Sequence, residues 1–155
     1  MIQIKAVDAQ NLRGVCELTT GQDSPAAQAR PHSYRNAISI AQTKYCPDMH
    51  PNAIYYNHVL VGFFLYERAP QHAETATIRR FMIDDRFQNK GLARQALSHI
   101  LRGLKIQGVK HVRFFAGHAN ENARALALSL GFRFAGTQNE TQDCYGLEWD
   151  AMPAE

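Results

Sequence analysis

Residues 78–100, IRRFMIDDRFQNKGLARQALSHI, decide the reading of this chain. Ile78, Phe81, Met82 and Ile83 form an apolar run that stops at Asp84 and Asp85. A short basic loop follows. From about Gly91 the apolar residues recur at 92/93, 96/97, 100/101 and 104, the period of an amphipathic helix. The order is strand, loop, helix. Such a loop presents the free N–H groups of a helix start, with Arg86, Lys90 and Arg94 beside them and Gly91 letting a ligand approach the backbone. Helix-start amides and the positive end of the helix dipole attract anions, so the natural reading is a phosphate or pyrophosphate cradle. Neither GxxxxGK[ST] nor GxGxxG occurs in the chain, so it is not one of the two commonest cradles.

Towards the N-terminus, the strand entering the cradle spans roughly 74–83. Ile78 and Phe81 are three apart, which simple alternation cannot place on one face. A β-bulge between them, or a strand buried on both faces, accounts for the spacing. Residues 53–56 and 59–66 read as a hairpin around Asn57-His58, preceded by a polar turn at 46–52. Residues 2–7 alternate as a first strand. Asp8 caps a short helix with Leu12, Val15, Cys16 and Leu18 on one face. The stretch 19–33, with two prolines and a glycine, reads as a long loop of the kind that carries function. Ser33 caps a second helix over 34–45.

Towards the C-terminus, Gly108 stops the cradle helix, and 109–116 is a β-rich segment. Asn120 caps a helix with Ala123, Leu126, Ala127 and Leu130 on one face, closed by Gly131. Residues 132–137 and 145–150 form a last antiparallel pair around the polar loop 138–144. The element order β-α-α-β-β-β-α-β-α-β-β predicts an α/β (α+β) fold, a mixed sheet with helices on both faces.

The 155 residues predict one domain spanning 1–155. A net charge of +3 with no Lys/Arg block argues against nucleic-acid and membrane partners and suits a small anionic ligand at the basic loop. Cys16, Cys46 and Cys144 form no CxxC pair, which argues against a disulfide framework or a zinc site and for a reducing cytoplasm. The seven histidines are scattered without HExxH spacing, so no metal is expected.

Gln88-Asn89-Lys90-Gly91-Leu92-Ala93 matches Q-x-x-G-x-[GA] and is similar to the acetyl-CoA signature of the GNAT N-acetyltransferase superfamily. The segment 53–63, AIYYNHVLVGF, resembles that family's hairpin, and Asn120, Ala123, Leu126, Gly131 and Phe132 match its N-x-x-A-x-x-L-Y-x-x-x-G-F pattern. The segment 80–91, RFMIDDRFQNKG, looks most like the spermine/spermidine acetyltransferase branch. The resemblance implies the GNAT fold, a mostly antiparallel central sheet of about seven strands. It implies acetyl-CoA as co-substrate, a small polyamine-like amine as acceptor, direct attack on the thioester, and a homodimer. By position, the backbone of Phe81, Met82 and Ile83 would face the pantetheine arm. Amides of Gln88, Asn89, Lys90, Gly91, Leu92 and Ala93 would hold the pyrophosphate, with Lys90 and Arg94 adding charge. Asn120 would reach the pantetheine or simply cap its helix.

Two positions depart from the family. Ala127 stands where a Tyr usually protonates the leaving thiolate, and a methyl group cannot do so. Tyr145 is the candidate replacement; Cys144 is another, and Ser129 lies roughly 200° around the helix from Ala127. Thr77 stands where some relatives carry a Glu base, leaving nearby Glu74 as the candidate acting through water. His118 is read as a solvated loop histidine. A protein N-terminal or lysine acetyltransferase, and a non-catalytic acyl-CoA-binding module that needs no acid, are the competing readings.

Overall fold

In the computed structural model, which describes residues 1–19, 32–118 and 120–149, the chain runs β1 (Ile2–Ala6), α1 (Leu12–Glu17), α2 (His32–Gln42), β2 (Met49–Tyr56), β3 (Val59–Glu67), β4 (Thr75–Ile83), α3 (Leu92–Ile106), β5 (His111–Gly117), α4 (Glu121–Ser129), β6 (Arg133–Thr137) and β7 (Gln142–Glu148). This is the order read from the sequence. One seven-stranded sheet results, in the order β1-β2-β3-β4-β5-β7-β6. Every neighbouring pair is antiparallel except β4–β5. That parallel pair needs a crossover, and α3 supplies it.

Both faces of the sheet are covered. On one, Ile78, Ile83, Phe114, Tyr145 and Leu147 pack with Ala96, Leu97, Ile100 and Leu104 of α3 and with Ala127 of α4. On the other, Val15 and Leu18 at α1 pack on Ala53, Phe63, Leu65 and Met82. The strand β4 serves both faces because Arg79 is an extra residue: Leu65 pairs with Arg80 while Tyr66 pairs with Ile78. The bulge resets the alternation, so Ile78, Phe81 and Ile83 belong to one face and Met82 to the other. Asn57 and His58 both have positive φ, 48° and 68°, which suits the tight two-residue turn between β2 and β3.

Several boundaries differ from expectation. The strand β2 begins at Met49, inside the predicted polar turn 46–52. Pro51 fits there because its carbonyl, accepting from Val7 N–H at 3.1 Å, faces the frayed end of β1, where its missing N–H breaks no ladder bond. The helix α2 begins at His32, placing Ser33 inside it rather than before it, and ends at Gln42. Asp8 caps the turn ahead of α1, accepting from Gln10 and Asn11 N–H at 2.9 Å each, while Asn11 is the helix-start residue. The strand β7 starts at Gln142, within the predicted loop 138–144, because pairing with Gly117, Ala116 and Phe115 outweighs its polar composition. The long loop predicted at 19–33 lies, from 20 to 31, outside the described residues.

Candidate active site

The parallel ladder between β4 and β5 runs from Thr75/His111 to Ile78/Phe114 and stops there, although β4 continues to Ile83 and β5 to Gly117. The Arg79 bulge sits one residue past the last rung, and bulges bend and twist the strand that carries them. Beyond it the two strands part. Asp84 donates its N–H to the Val61 carbonyl on β3 at 2.7 Å. Backbone direction alternates along a strand, so the N–H and C=O groups of Phe81 and Ile83 point the other way, into the opening. An exposed strand edge of this kind pairs readily with an amide-bearing chain.

Directly after β4, Asp84 caps a single turn of 3-10 helix, Asp85–Phe87. Asn89 (φ 61°) and Gly91 (φ 75°) are both left-handed, and α3 starts at Leu92. Gln95 is the first residue to donate back, to the Gly91 carbonyl at 3.1 Å. Among the described residues, the N–H groups of 89–94 have no backbone acceptor in the loop or the helix start. Left-handed backbone bringing successive N–H groups together at a helix N-terminus is an anion cradle. Glycine holds Gly91 in this conformation without the strain a side chain would add. Gln88 ties the loop to the strand by donating its side-chain amide to the Ile83 carbonyl.

Asp84 holds the cradle to the rest of the fold. Its side chain is almost fully buried and accepts from Thr19 N–H at 2.8 Å, Arg86 N–H at 3.1 Å and Arg86 Nε at 2.7 Å. Burial pushes its pKa up, but the hydrogen bonds from Arg86 and Thr19 and the Arg86 charge outweigh burial and hold it below the usual carboxylate value. In return, the Thr19 carbonyl accepts from Asp85 N–H at 2.7 Å.

On the α1/α2 face, where β4 and β5 part, lies a cleft of about 400 Å³ lined by Ser39, Gln42, Tyr45, Cys46, Met49, Leu65, Arg79, Arg80, Phe115 and Gln142. Arg79 lies over the Phe115 ring (5.4 Å to the centroid) and pairs with Glu67 at 2.6 Å. Arg80 donates to Ser39 Oγ at 3.1 Å and lies over the Phe63 ring at 5.8 Å. Burial, and secondly the charge of Arg35, lower the Arg80 pKa to about 10.

The residues singled out from sequence are distributed as follows. Phe81, Met82, Ile83 and the loop from Gln88 through Arg94 surround the opening and cradle. Lys90 is exposed with no ion-pair partner among the described residues. Arg94 reaches across to α4 and donates to Ser129 Oγ at 2.6 Å. Asn120 caps α4, its side chain accepting from Ala123 N–H at 3.0 Å. Tyr145 is buried on the α3/α4 face beside Phe114, packed edge-on to Phe134, and its hydroxyl has no hydrogen-bond partner among the described residues. Glu74 is not brought to this region. It is exposed at the opposite end of β4, pairs with Lys110 at 3.4 Å, and lies about 30 Å of strand from Ile83. His118 is no free loop histidine: its Nδ1 is 2.7 Å from Asp143 and its Nε2 3.2 Å from the Asn139 carbonyl. No group of three or more His, Cys, Asp and Glu is placed to hold a metal among the described residues.

Sequence reasoning missed Asp84, read only as a strand breaker, and the cleft arginines. The signal for the latter was present: two arginines sit at the one place in β4 where alternation fails.

The sequence model described as "Acetyltransferase (GNAT) family" matches residues 12–132. A Bacillus subtilis (strain 168) protein named spermine/spermidine N(1)-acetyltransferase is 28% identical over 141 residues, covering 87% of this chain and 90% of the relative. A probable spermine N(1)-acetyltransferase of Bacillus subtilis subsp. natto (strain BEST195) is 27% identical over the same shares. Among solved structures, the PaiA N-acetyltransferase from Thermoplasma acidophilum in complex with coenzyme A superposes with a TM-score of 0.71 at 15% identity, over 96% of this chain and 99% of that one. The ribosomal L7/L12 α-N-protein acetyltransferase RimL, in complex with coenzyme A, does so with a TM-score of 0.73 at 15% identity, over 97% and 96%. With the splayed strands and the cradle, the family match makes the assignment plain: this chain belongs to the GNAT family of acetyltransferases.

Proposed function

We propose that the chain transfers the acetyl group of acetyl-CoA to a primary amine by direct attack. The observation that carries this reading is the opening past Ile78/Phe114, with a strand edge past the last rung on one side and, at its end, the N–H groups of 89–94, which have no backbone acceptor among the described residues. The residues fit coenzyme A: pantetheine amides need a strand-like partner, which the Phe81 backbone and the Ile83 N–H offer while Gln88 holds the Ile83 carbonyl, and a pyrophosphate needs converging N–H donors, which 89–94 offer. Lys90 adds charge at the cradle. Asn120 orders the start of α4 beside the opening.

The thioester is then presented at the Arg79 bulge, facing the cleft. An uncharged amine enters from the α1/α2 face, its lone pair forms the C–N bond, and the C–S bond breaks. A backbone N–H near Phe81 polarises the carbonyl. The departing thiolate takes a proton, and Tyr145 supplies it: its hydroxyl has no partner among the described residues and its backbone sits beside Phe114, on the last rung of the ladder. Glu74 takes no part in this reading, because it lies at the far end of β4. The attacking amine loses its proton to water in the cleft.

The names of the two Bacillus relatives favour polyamines as the acceptor class. The test is release of the CoA thiol from acetyl-CoA against a panel of amines, with calorimetry of CoA binding alongside. Transfer predicts turnover with at least one amine class. Tight CoA binding with no turnover across the panel would point instead to a non-catalytic acyl-CoA-binding module.

A further inference from the structure

On the outer surface of α3, away from the acceptor cleft, lies a second cavity that takes no part in acetyl transfer. It has a volume of about 380 Å³, and its walls are the start of β1 at Ile2 and, on α3, Arg94, Gln95, Ser98, His99 and Arg102, with no carboxylate in its lining. Ile2 pairs with Tyr56 beside the β2–β3 turn, and Gly62 just past that turn pairs with Ile83. The start of β1 and the end of β4 are therefore at the same end of the sheet, and the cavity borders the cradle.

Arg94, Ser98 and Arg102 recur every four residues, so they form one stripe along α3 that starts in its first turn. The helix, LARQALSHILRGLKI, contains no Asp or Glu, and Gly91 gives it no side-chain cap. A helix N-terminus disfavours nearby cations, so this half of α3 is charged against its own dipole and an incoming anion relieves it. Arg94 is drawn towards α4 by Ser129 Oγ at 2.6 Å. Arg102 is exposed and has no hydrogen-bond or ion-pair partner among the described residues. Helical side chains lean towards the N-terminus, so its guanidinium covers the turn of Ser98, on the cradle side of its own Cα.

Coenzyme A carries two anionic groups on one ribose, the pyrophosphate on the 5′ carbon and a separate phosphate on the 3′ carbon. With the pyrophosphate on the N–H groups of 89–94, the second phosphate falls about one helix turn further on, roughly 5.4 Å, at the level of Ser98. The cavity is also larger than a lone ion needs and suits a nucleotide-sized group.

We propose that this cavity holds the 3′-phosphate of coenzyme A, with Arg102 as its ion-pair partner and the Ser98 hydroxyl donating to it. This rests on the placement of the pyrophosphate in the cradle and extends the coenzyme site outward along α3. Arg102 takes no part in bond making. It sets the preference for the 3′-phosphorylated coenzyme over the dephosphorylated one.

The test is calorimetric titration of CoA and of 3′-dephospho-CoA into the wild-type protein, Arg102→Gln and Arg102→Lys. Both ligands carry the same pantetheine and pyrophosphate, so the difference between them reads the 3′-phosphate alone. Wild type should bind CoA about 10-fold more tightly than dephospho-CoA. Arg102→Gln should bring the two affinities within about 2-fold of each other by weakening CoA. Arg102→Lys keeps the charge without the planar fork and should retain part of the preference. Arg102 is exposed, so thermal unfolding of both variants should match wild type. Equal wild-type affinity for the two ligands overturns the proposal while leaving coenzyme binding in the opening intact. So does a preference that Arg102→Gln leaves unchanged, because the 3′-phosphate then lies elsewhere. If neither ligand binds, the coenzyme reading itself fails, and this proposal with it.

Discussion

Ile78 and Phe114 form the last rung of the parallel ladder between β4 and β5, and the functional geometry begins where they end. Past this pair the sheet has an opening with N–H and C=O groups turned into it. The Arg79 bulge next to it puts the apolar residues of β4 back in step, turns Phe81 and Ile83 towards the gap, and leaves two arginines on the acceptor side. One extra residue in a strand thus links packing to function.

Gly62, on β3, pairs with Ile83 at the cradle end of β4. A β-carbon there would run into the Met82 carbonyl and lie 2.9 Å from the Ile83 side chain. Gly62→Ala should therefore push β4 away from β3 and cost about 1–3 kcal/mol. Thermal unfolding should show a clear drop in Tm, and CoA affinity should fall with it, because Ile83 is displaced.

Asp84→Asn replaces a buried, charge-assisted acceptor of three hydrogen bonds. The expected loss is about 1.5–3 kcal/mol, read from denaturant unfolding. The folded pKa of Asp84 lies below its ordinary value of 3.8, so its stabilisation is complete above that value and is lost as pH falls through the lowered one. The Tm gap between wild type and Asp84→Asn should stay constant above about pH 5 and close on further acidification.

Gly91→Ala puts a β-carbon at φ 75° at the mouth of the cradle. Space is open there, with Gln95 Nε2 at 3.9 Å as the nearest neighbour, so the cost is backbone strain of about 1 kcal/mol. Calorimetry should show weaker CoA binding, since the strain is relieved only by moving the N–H groups that converge on the ligand.

Tyr145→Phe tests the proton donor. The hydroxyl has no partner among the described residues, so Tm should stay within about a degree, while kcat falls about 10-fold or more. Restoring the family's tyrosine by Ala127→Tyr is not a clean complement. Ala127 is fully buried against the core, and a phenol there overpacks it, lowering stability by about 1–3 kcal/mol or more.

The element order was legible because the periodicities are strong: the apolar stripe of α3 and the strand-loop-helix punctuation at 83–92 leave one arrangement of the centre. The bulge was legible as one of two readings: simple alternation cannot put Ile78 and Phe81 on one face, and a strand buried on both faces was the other, between which the β3–β4 register decides. The start of β2 at Met49 and of β7 at Gln142 was not, because ladder pairing recruited polar residues that local propensity assigns to turns. Glu74 illustrates the limit for the site. Proximity in sequence placed it near the base position, but an extended strand spends about 3.3 Å per residue and carried it to the other end of the sheet. Arg80 and Ser39 meet over a separation of 41 residues, and no local pattern announces such a contact.

The central claim is that acetyl-CoA lies in the opening between β4 and β5 with its pyrophosphate on the cradle. Amide hydrogen exchange with and without CoA measures this most directly, because the N–H groups of 89–94 have no backbone acceptor among the described residues and those of Phe81 and Ile83 lie past the end of the ladder. The account predicts slowed exchange at Phe81, Ile83 and residues 89–94, with β1 and β2 unchanged. Unaltered exchange at these positions under saturating CoA, or protection confined to other strands, would contradict it.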